Sequence, residues 1–222
     1  MSEVIHLPDT KRIEGHGRIS LFLGDDGLVQ DAHFEITEFR GFEKFLQDRM
    51  IWEMPLITSR ICGVCPVSHH LAAVKAVEAM YDVEIPRSAR LLRELLHLGG
   101  LSQDHALHFF FLAGPDFLTG DGSGSRDILG VVKGAPELAL KAIGLRKTGQ
   151  QIVVTVGGRA SHPVSAIPGG MSKGITREER DQMAAMIAAG MDDALFAAEL
   201  ARESTLRLLE QHQNYGRIPM PL

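Results

Sequence analysis

Cysteine is nearly absent from these 222 residues: Cys62 and Cys65 are the two it has. That scarcity excludes a disulfide framework and leaves too few thiols for an iron–sulfur cluster of the chain's own. Long apolar runs are missing as well. No stretch reaches the roughly 18–20 residues that span a bilayer, and the first 18 residues turn polar and charged too early for a secretory signal. Nor is there a sustained Lys/Arg stripe. The net charge is −5 and the pI near 6.0, which argues against nucleic acid or an anionic membrane as partner. These absences predict a cytoplasmic protein in a reducing compartment, where thiols serve as ligands or redox groups. What is present, 45% hydrophobic and 23% charged residues without repeats or low-complexity linkers, suffices for one large or two small domains.

The local patterns predict a β-hairpin over residues 17–39. Arg18–Leu23 and Val29–Ile36 are β-prone, and Gly24-Asp-Asp-Gly27 lies between them with an Asp-Gly turn signal. Thereafter the pattern is helical. A short helix is predicted over 43–49, and Pro55 opens a further segment. Pro66 suits the first turn of a helix over about 66–80, which would turn Leu71, Val74, Ala76 and Val77 to a core. Residues 87–112 read as a second long helix, with Leu91, Leu92, Leu95, Leu96, Leu98 and Leu101 as its apolar residues. Thr119–Ser125 reads as a loop, 126–148 as a third helix, and Gly157-Gly158, Pro163 and Pro168-Gly169-Gly170 as an irregular connection. Thr176 and Glu179 have capping-box spacing and introduce a helix to about residue 212, roughly 50 Å long. The Pro-punctuated stretch Gly216–Leu222 reads as an interruption rather than a closing element.

Both cysteines fall within Arg60–His69, at the loop and first turn feeding the 66–80 helix, where unpaired N–H groups and the helix dipole favour thiolate. A lone CxxC has several readings. A thioredoxin-like dithiol calls for a preceding strand, whereas Trp52–Arg60 contains a proline and little strand character. A structural zinc site needs two more ligands. His69, His70, His97, His105 and His108 are available, at spacings unlike a finger or ribbon. Two inert buried thiols are a third reading. The fourth is a thiolate site for a soft or borderline metal such as nickel or iron.

Wider context favours the fourth. Arg60-x-Cys62-Gly63-x-Cys65-x-x-x-His69 resembles the N-terminal cysteine motif of nickel–iron hydrogenase large subunits. Four further stretches agree, in the same order: Arg12-Ile-Glu-Gly-His16, Phe39-Arg-Gly-Phe-Glu43, Asp104-His-Ala-Leu-His-Phe-Phe-Phe-Leu-Ala-Gly-Pro-Asp116, and His162-Pro163 leading to Pro168-Gly-Gly170. The resemblance covers most of residues 10–175. Phe39–Phe45, Trp52–Pro55, Cys65–Ser68 and Gly114–Leu118 look most like the cytoplasmic NAD-linked bidirectional branch.

The resemblance implies a role for each matching residue. Cys62 takes the position of a terminal nickel ligand and Cys65 that of a thiolate bridging nickel and iron, in a centre whose iron carries CO and cyanide. Glu14 matches the carboxylate that relays the proton released when dihydrogen is cleaved, a role helped if burial raises its pKa. Its plain alternative is a surface carboxylate near a strand start. Glu43 matches a ligand of a structural magnesium, or is a helix-start carboxylate favoured by the dipole. His69 matches a residue beside the bridging sulfur, or is a hydrogen-bonded core histidine. Asp116 matches a carboxylate lining the cavity above the metals, or caps a turn.

One departure limits the assignment. The family has a second CxxC, giving four thiolates, and nothing after Cys65 supplies it here. The expectation is therefore a predominantly helical α+β fold. A small β element occupies 1–40 and long bundle helices 43–222, together forming the N-terminal portion of a single hydrogenase large-subunit domain. The implied partners are a flavin- and NAD-handling module, a polypeptide carrying the second CxxC if the chain is naturally split, and an iron–sulfur small subunit. The competing expectation is a non-catalytic scaffold, related to the quinone-site component of respiratory NADH dehydrogenase.

Overall fold

The computed structural model describes residues 3–7, 12–118 and 127–211. The Thr119–Ser125 loop and the Gly216–Leu222 ending lie outside them. The chain divides into two units, 1–49 and 50–222.

The first unit is built on the predicted hairpin. Strands β2 (Gly17–Leu23) and β3 (Val29–Ile36) pair antiparallel, with Ser20 opposite His33. Their turn is closed by Gly27, at φ +74°, donating its N–H to the Gly24 carbonyl. A short strand that the sequence does not announce, β1 (Val4–His6), adds to the other edge of β2. Three residues are too few to show an alternation. Helix α1 follows, shorter than expected at Phe42–Phe45.

The second unit opens with 3-10 turns on either side of α2 (Met54–Ile57), the second of them at Thr58–Ile61. Helices α3 (Pro66–Tyr81) and α4 (Arg87–Leu107) come next. The chain widens into a π-helical turn over 108–113 before α5 (Gly114–Leu118). The predicted 126–148 helix is two helices, α6 (Ile128–Gly134) and α7 (Pro136–Gly157). Pro136 explains the break. It cannot donate an N–H and it drives Ala135 out of the helical region, to φ −146° and ψ 67°. Gly158, at φ +82°, then ends α7. Strands β4 (Ala166–Ile167) and β5 (Gly170–Met171) form a small hairpin where the sequence reads only as irregular. Its Pro168-Gly169 corner places the glycine at φ +91°. The Thr176–Glu179 capping box forms in both directions and starts α8 (Arg177–Gln211).

Residues from α3, α4, α7, β4 and α8 form the main core: Val67, Leu71, Val74, Leu96, Ile152, Val153, Val156, Ala166 and Met183. One packing expectation needs correction. In α3, Ala76 faces solvent and Glu78 is buried in its stead. In α4, Leu91, Leu98 and Leu101 are exposed, and the buried stripe runs through Ala89, Arg93, Leu96, Gly100, Gln103 and Ala106. Where α7 approaches, α4 presents Gly99 and Gln103, whereas Gly100 packs against Val67 of α3. A Cβ on Gly149 would stand 2.6 Å from the Gly99 carbonyl oxygen and 2.7 Å from the Gln103 nitrogen, both backbone atoms.

Gly149→Ala is therefore expected to destabilise the chain by about 1–3 kcal/mol through overpacking, despite a propensity gain of about 1 kcal/mol. Gly144→Ala, in the same helix with nothing near its added methyl, is expected to stabilise by roughly that gain. Urea denaturation of the two variants checks the opposite signs.

Buried Arg93 is accommodated by Glu78. The guanidinium makes two bonds to the carboxylate, at 2.6 and 2.7 Å, and donates to the carbonyls of Ile167 and Gly170 at 2.9 and 2.8 Å. The Gly169 N–H completes the arrangement by donating to Glu78 at 2.9 Å. One ion pair thus pins α3, α4 and the β4–β5 hairpin together.

Candidate metal centre

The segment leading to the cysteines is held by side chains bonding to its carbonyls. Thr58 Oγ1 donates to the Met54 carbonyl, and Ser59 Oγ, fully buried, to that of Leu56. His70 Nδ1, from α3, lies 2.9 Å from the Pro55 carbonyl. Because a carbonyl only accepts, this nitrogen carries the proton. Burial pushes the His70 pKa down, and the charge of Arg93 adds to that, so the ring is neutral with Nε2 bare.

Cys62 ends the 3-10 turn in extended conformation, φ −135° and ψ 128°. Cys65 stands at the N-cap of α3, with Pro66 at the first helical position as expected. The Cys65 N–H donates to Cys62 Sγ at 3.1 Å, a bond that would favour negative charge on that sulfur once it is reduced. His69, in the first turn, brings its ring to the same place. The sulfurs of Cys62 and Cys65 and a ring nitrogen of His69 all lie within 4.8 Å of one another. Whereas the sequence reading has two free thiols, the structure joins the sulfurs as a disulfide, with Cα atoms 5.5 Å apart. The convergence that permits this bond puts both sulfurs, once reduced, within reach of one ion. Two soft thiolates and a borderline imidazole fit nickel or iron better than a hard cation.

Asp116 is exposed in the first turn of α5. Glu14 and Glu43 belong to the first unit, where both are exposed. Glu43 accepts a 2.6 Å hydrogen bond from Arg40, which holds its carboxyl below the usual carboxylate range. The structure therefore brings together Cys62, Cys65 and His69. A cavity of about 110 Å³ opens on Gly63 and Val64, between the cysteines, and is lined by polar Gln103, Asp104 and Arg146. A larger one, about 720 Å³ between α3 and α4, includes neither cysteine, so ligand chemistry rather than volume identifies the centre. The sequence reading has His70 only among possible zinc ligands and His162 only within the His162-Pro163 motif, and gives neither this supporting role. The pairing of His162 with Pro163 was the one available signal for the second.

No helix among the described residues is long and apolar enough to cross a membrane. A sequence model described as nickel-dependent hydrogenase matches residues 40–121, and one described as HoxL-like matches 9–39. A vhu-type F420-non-reducing hydrogenase polypeptide of Methanocaldococcus jannaschii is 46% identical over 209 residues, covering 93% of this chain and 50% of that protein. The beta chain of the NAD-reducing hydrogenase HoxS of Cupriavidus necator is 37% identical over 190 residues, covering 82% of this chain and 39% of its own length. The chain thus spans half or less of these relatives. Among solved structures, an NAD+-reducing [NiFe]-hydrogenase in the H2-reduced state superposes with a TM-score of 0.87 at 38% identity, over 96% of this chain and 47% of that one. The Ni-Fe-Se hydrogenase of D. vulgaris Hildenborough in the reduced state gives a TM-score of 0.72 at 28% identity, over 86% and 42%.

Proposed function

Because this chain belongs to the nickel-dependent hydrogenase family and has its large-subunit fold, we propose that it acts as the N-terminal portion of a catalytic large subunit. The observation that carries this reading is the convergence of Cys62, Cys65 and His69 at the start of α3, within the family's first cysteine motif. Cys62 and Cys65 would be two of four thiolates holding a nickel–iron centre whose iron carries CO and cyanide. When bound, such a centre supplies reversible cleavage of dihydrogen into protons and electrons.

The chain's own groups would serve that reaction around it. The Cys65 N–H steadies charge on the Cys62 sulfur, and His69 tunes the sulfur beside it from the first turn of the same helix. Glu14 would take the released proton and pass it inward, a step suited to a carboxylate once the rest of the protein covers it. Asp116 would line the cavity above the metals, and Glu43 would ligate a structural magnesium, exchanging its Arg40 partner for the cation. With both cysteines committed, electrons would leave through an iron–sulfur small subunit. We further propose a flavin-bearing module that delivers them to NAD, a cytoplasmic site of action, and one large-subunit domain of which 1–222 is part. The missing thiolate pair would come from further large-subunit sequence, in this polypeptide or in a separate one.

Purification of the native assembly tests this reading. We expect infrared bands of iron-bound CO and cyanide, nickel in equal amount with this chain, and a second CxxC in the same complex. Nickel held tightly by a pure 222-residue species would overturn the four-thiolate requirement. Absence of the infrared bands would sink the catalytic reading in favour of the scaffold. Electrons passing to a carrier other than NAD would replace the acceptor alone, an outcome to which the F420-non-reducing relatives lend weight.

A further inference from the structure

We propose that His162 is a positioning residue for the cysteine pair, holding the turn that delivers Cys62 by donating Nδ1–H to the Ser59 carbonyl. The contact is 2.9 Å and joins residues 103 positions apart. A carbonyl cannot donate, so the proton resides on Nδ1. Ser59 is the second residue of the four-residue Thr58–Ile61 turn, so a donor from α7's end bears directly on the turn that delivers Cys62. Ser59 is fully buried, so water is a poor substitute for the ring.

The mount for this histidine is rigid. His162 sits at φ +53°, a left-handed conformation costing a non-glycine residue about 1–3 kcal/mol unless its surroundings impose it. The surroundings do so here. Pro163, the next residue, is fully buried, and a Cβ on Gly157 would stand 2.9 Å from its side chain. The Val164 N–H bonds the Gly157 carbonyl at 3.0 Å, and Ser165 Oγ the Val156 carbonyl at 2.6 Å. The end of α7, a core helix, therefore carries His162 to Ser59, three residues before Cys62. His70 holds the same segment at Pro55 from the α3 side. Two histidines from different parts of the chain thus hold the segment before Cys62, one at Pro55 and one at Ser59.

This inference rests on reading Cys62 and Cys65 as metal-holding thiolates, but its test reads the sulfurs directly. In the full 222-residue chain, kept reduced with a phosphine, the alkylation rate of Cys62 by iodoacetamide reports how often the turn opens. His162→Ala is expected to raise that rate roughly fivefold to tenfold, the local opening released by one lost hydrogen bond to a buried group. His162→Asn places an amide N–H close to the Nδ1 position and tolerates positive φ, so its rate is expected within about twofold of wild type. His162→Gln places the amide one bond too far out and should behave like alanine. Hydrogen exchange should rise at Ser59–Cys62 while Val153 and Val156 stay protected. Should the alanine variant fail to fold, the Asn and Gln pair decides the matter. A wild-type rate in both His162→Ala and His162→Gln would overturn the proposal. So would equal acceleration in Asn and Gln, or exchange rising across Val153 and Val156 alike. None of these outcomes depends on nickel or on hydrogenase activity.

Discussion

Substitution of serine for Cys62 or Cys65 is expected to lower nickel retained by the native assembly by more than about 100-fold. Loss of a mere supporting partner to a metal ligand typically costs 10–100-fold, and these sulfurs are ligands in the proposed function. A serine hydroxyl has nearly the shape of the thiol, but it stays protonated near neutral pH and is hard where nickel prefers soft donors. His69→Ala should fall inside the 10–100-fold range if the ring only tunes a neighbouring sulfur. Nickel per chain, measured by elemental mass spectrometry on purified complex, compares the three. Full nickel in either cysteine variant would remove Cys62 and Cys65 from the ligand set. A His69 variant as empty as the cysteine variants would promote the histidine to a direct ligand.

The second large effect belongs to the fold. Arg93→Met is expected to cost about 3–5 kcal/mol, because it strands the Glu78 carboxylate in the interior without its counter-charge. Glu78→Met strands the guanidinium and should cost a similar amount. The double variant should recover part of the loss, since it buries no charge, though the carbonyls of Ile167 and Gly170 then lack their donor. Denaturant titration measures all three, and strict additivity would contradict the pairing.

The same pair gives the chain a pH dependence. Burial pushes the Glu78 carboxyl up. The bonds from Arg93 and the Gly169 N–H, with the charges of Arg93 and Lys75, outweigh it and hold the carboxyl below its ordinary value. A carboxylate lowered on folding contributes stability in full above its unfolded pKa, about 4.3. That contribution disappears as pH falls through the lower folded value, because the unfolded chain takes up the proton first. Stability should decline with acid in this window for the wild type and lose that component in Glu78→Gln.

How much of this was legible in the sequence depended on how local the cause was. The β2–β3 hairpin, the Pro66 helix start and the Thr176–Glu179 capping box each rest on residues within a few positions, and each stands where the sequence puts it. The break at Ala135-Pro136 has an equally local cause, yet the Ala- and Leu-rich flanks disguise it as one helix. The face of α4 has a less local cause. Leu96 is buried there, but the nearest approach of α7 is met by Gly99, while Gly100 faces Val67 of α3 and Arg93 pairs with Glu78. Nothing in α4 alone reveals Glu78. At the candidate metal centre, the CxxC and His69 are a local pattern that the structure gathers into one cluster. The bonds from His70 to Pro55 and from His162 to Ser59 span 15 and 103 residues and leave no periodicity to read. The quoted motifs resemble an NAD-linked branch, and the similar proteins include an F420-non-reducing enzyme at 46% identity as well as NAD-reducing ones at 37% and 38%.

The Arg93–Glu78 pin also constrains when this protein can finish folding. Arg93 and Glu78 meet as soon as α3 and α4 exist, but one further partner, the Gly169 N–H, lies 62 residues beyond Leu107, the end of α4 (169 − 107). At roughly 5–20 residues per second, a ribosome needs about 3–12 s to make that stretch. During that interval the first two long helices carry a charged pair short of two carbonyls and one N–H, and it must remain hydrated. The β4–β5 hairpin thus supplies the last partners of a pair whose helices are synthesised before it.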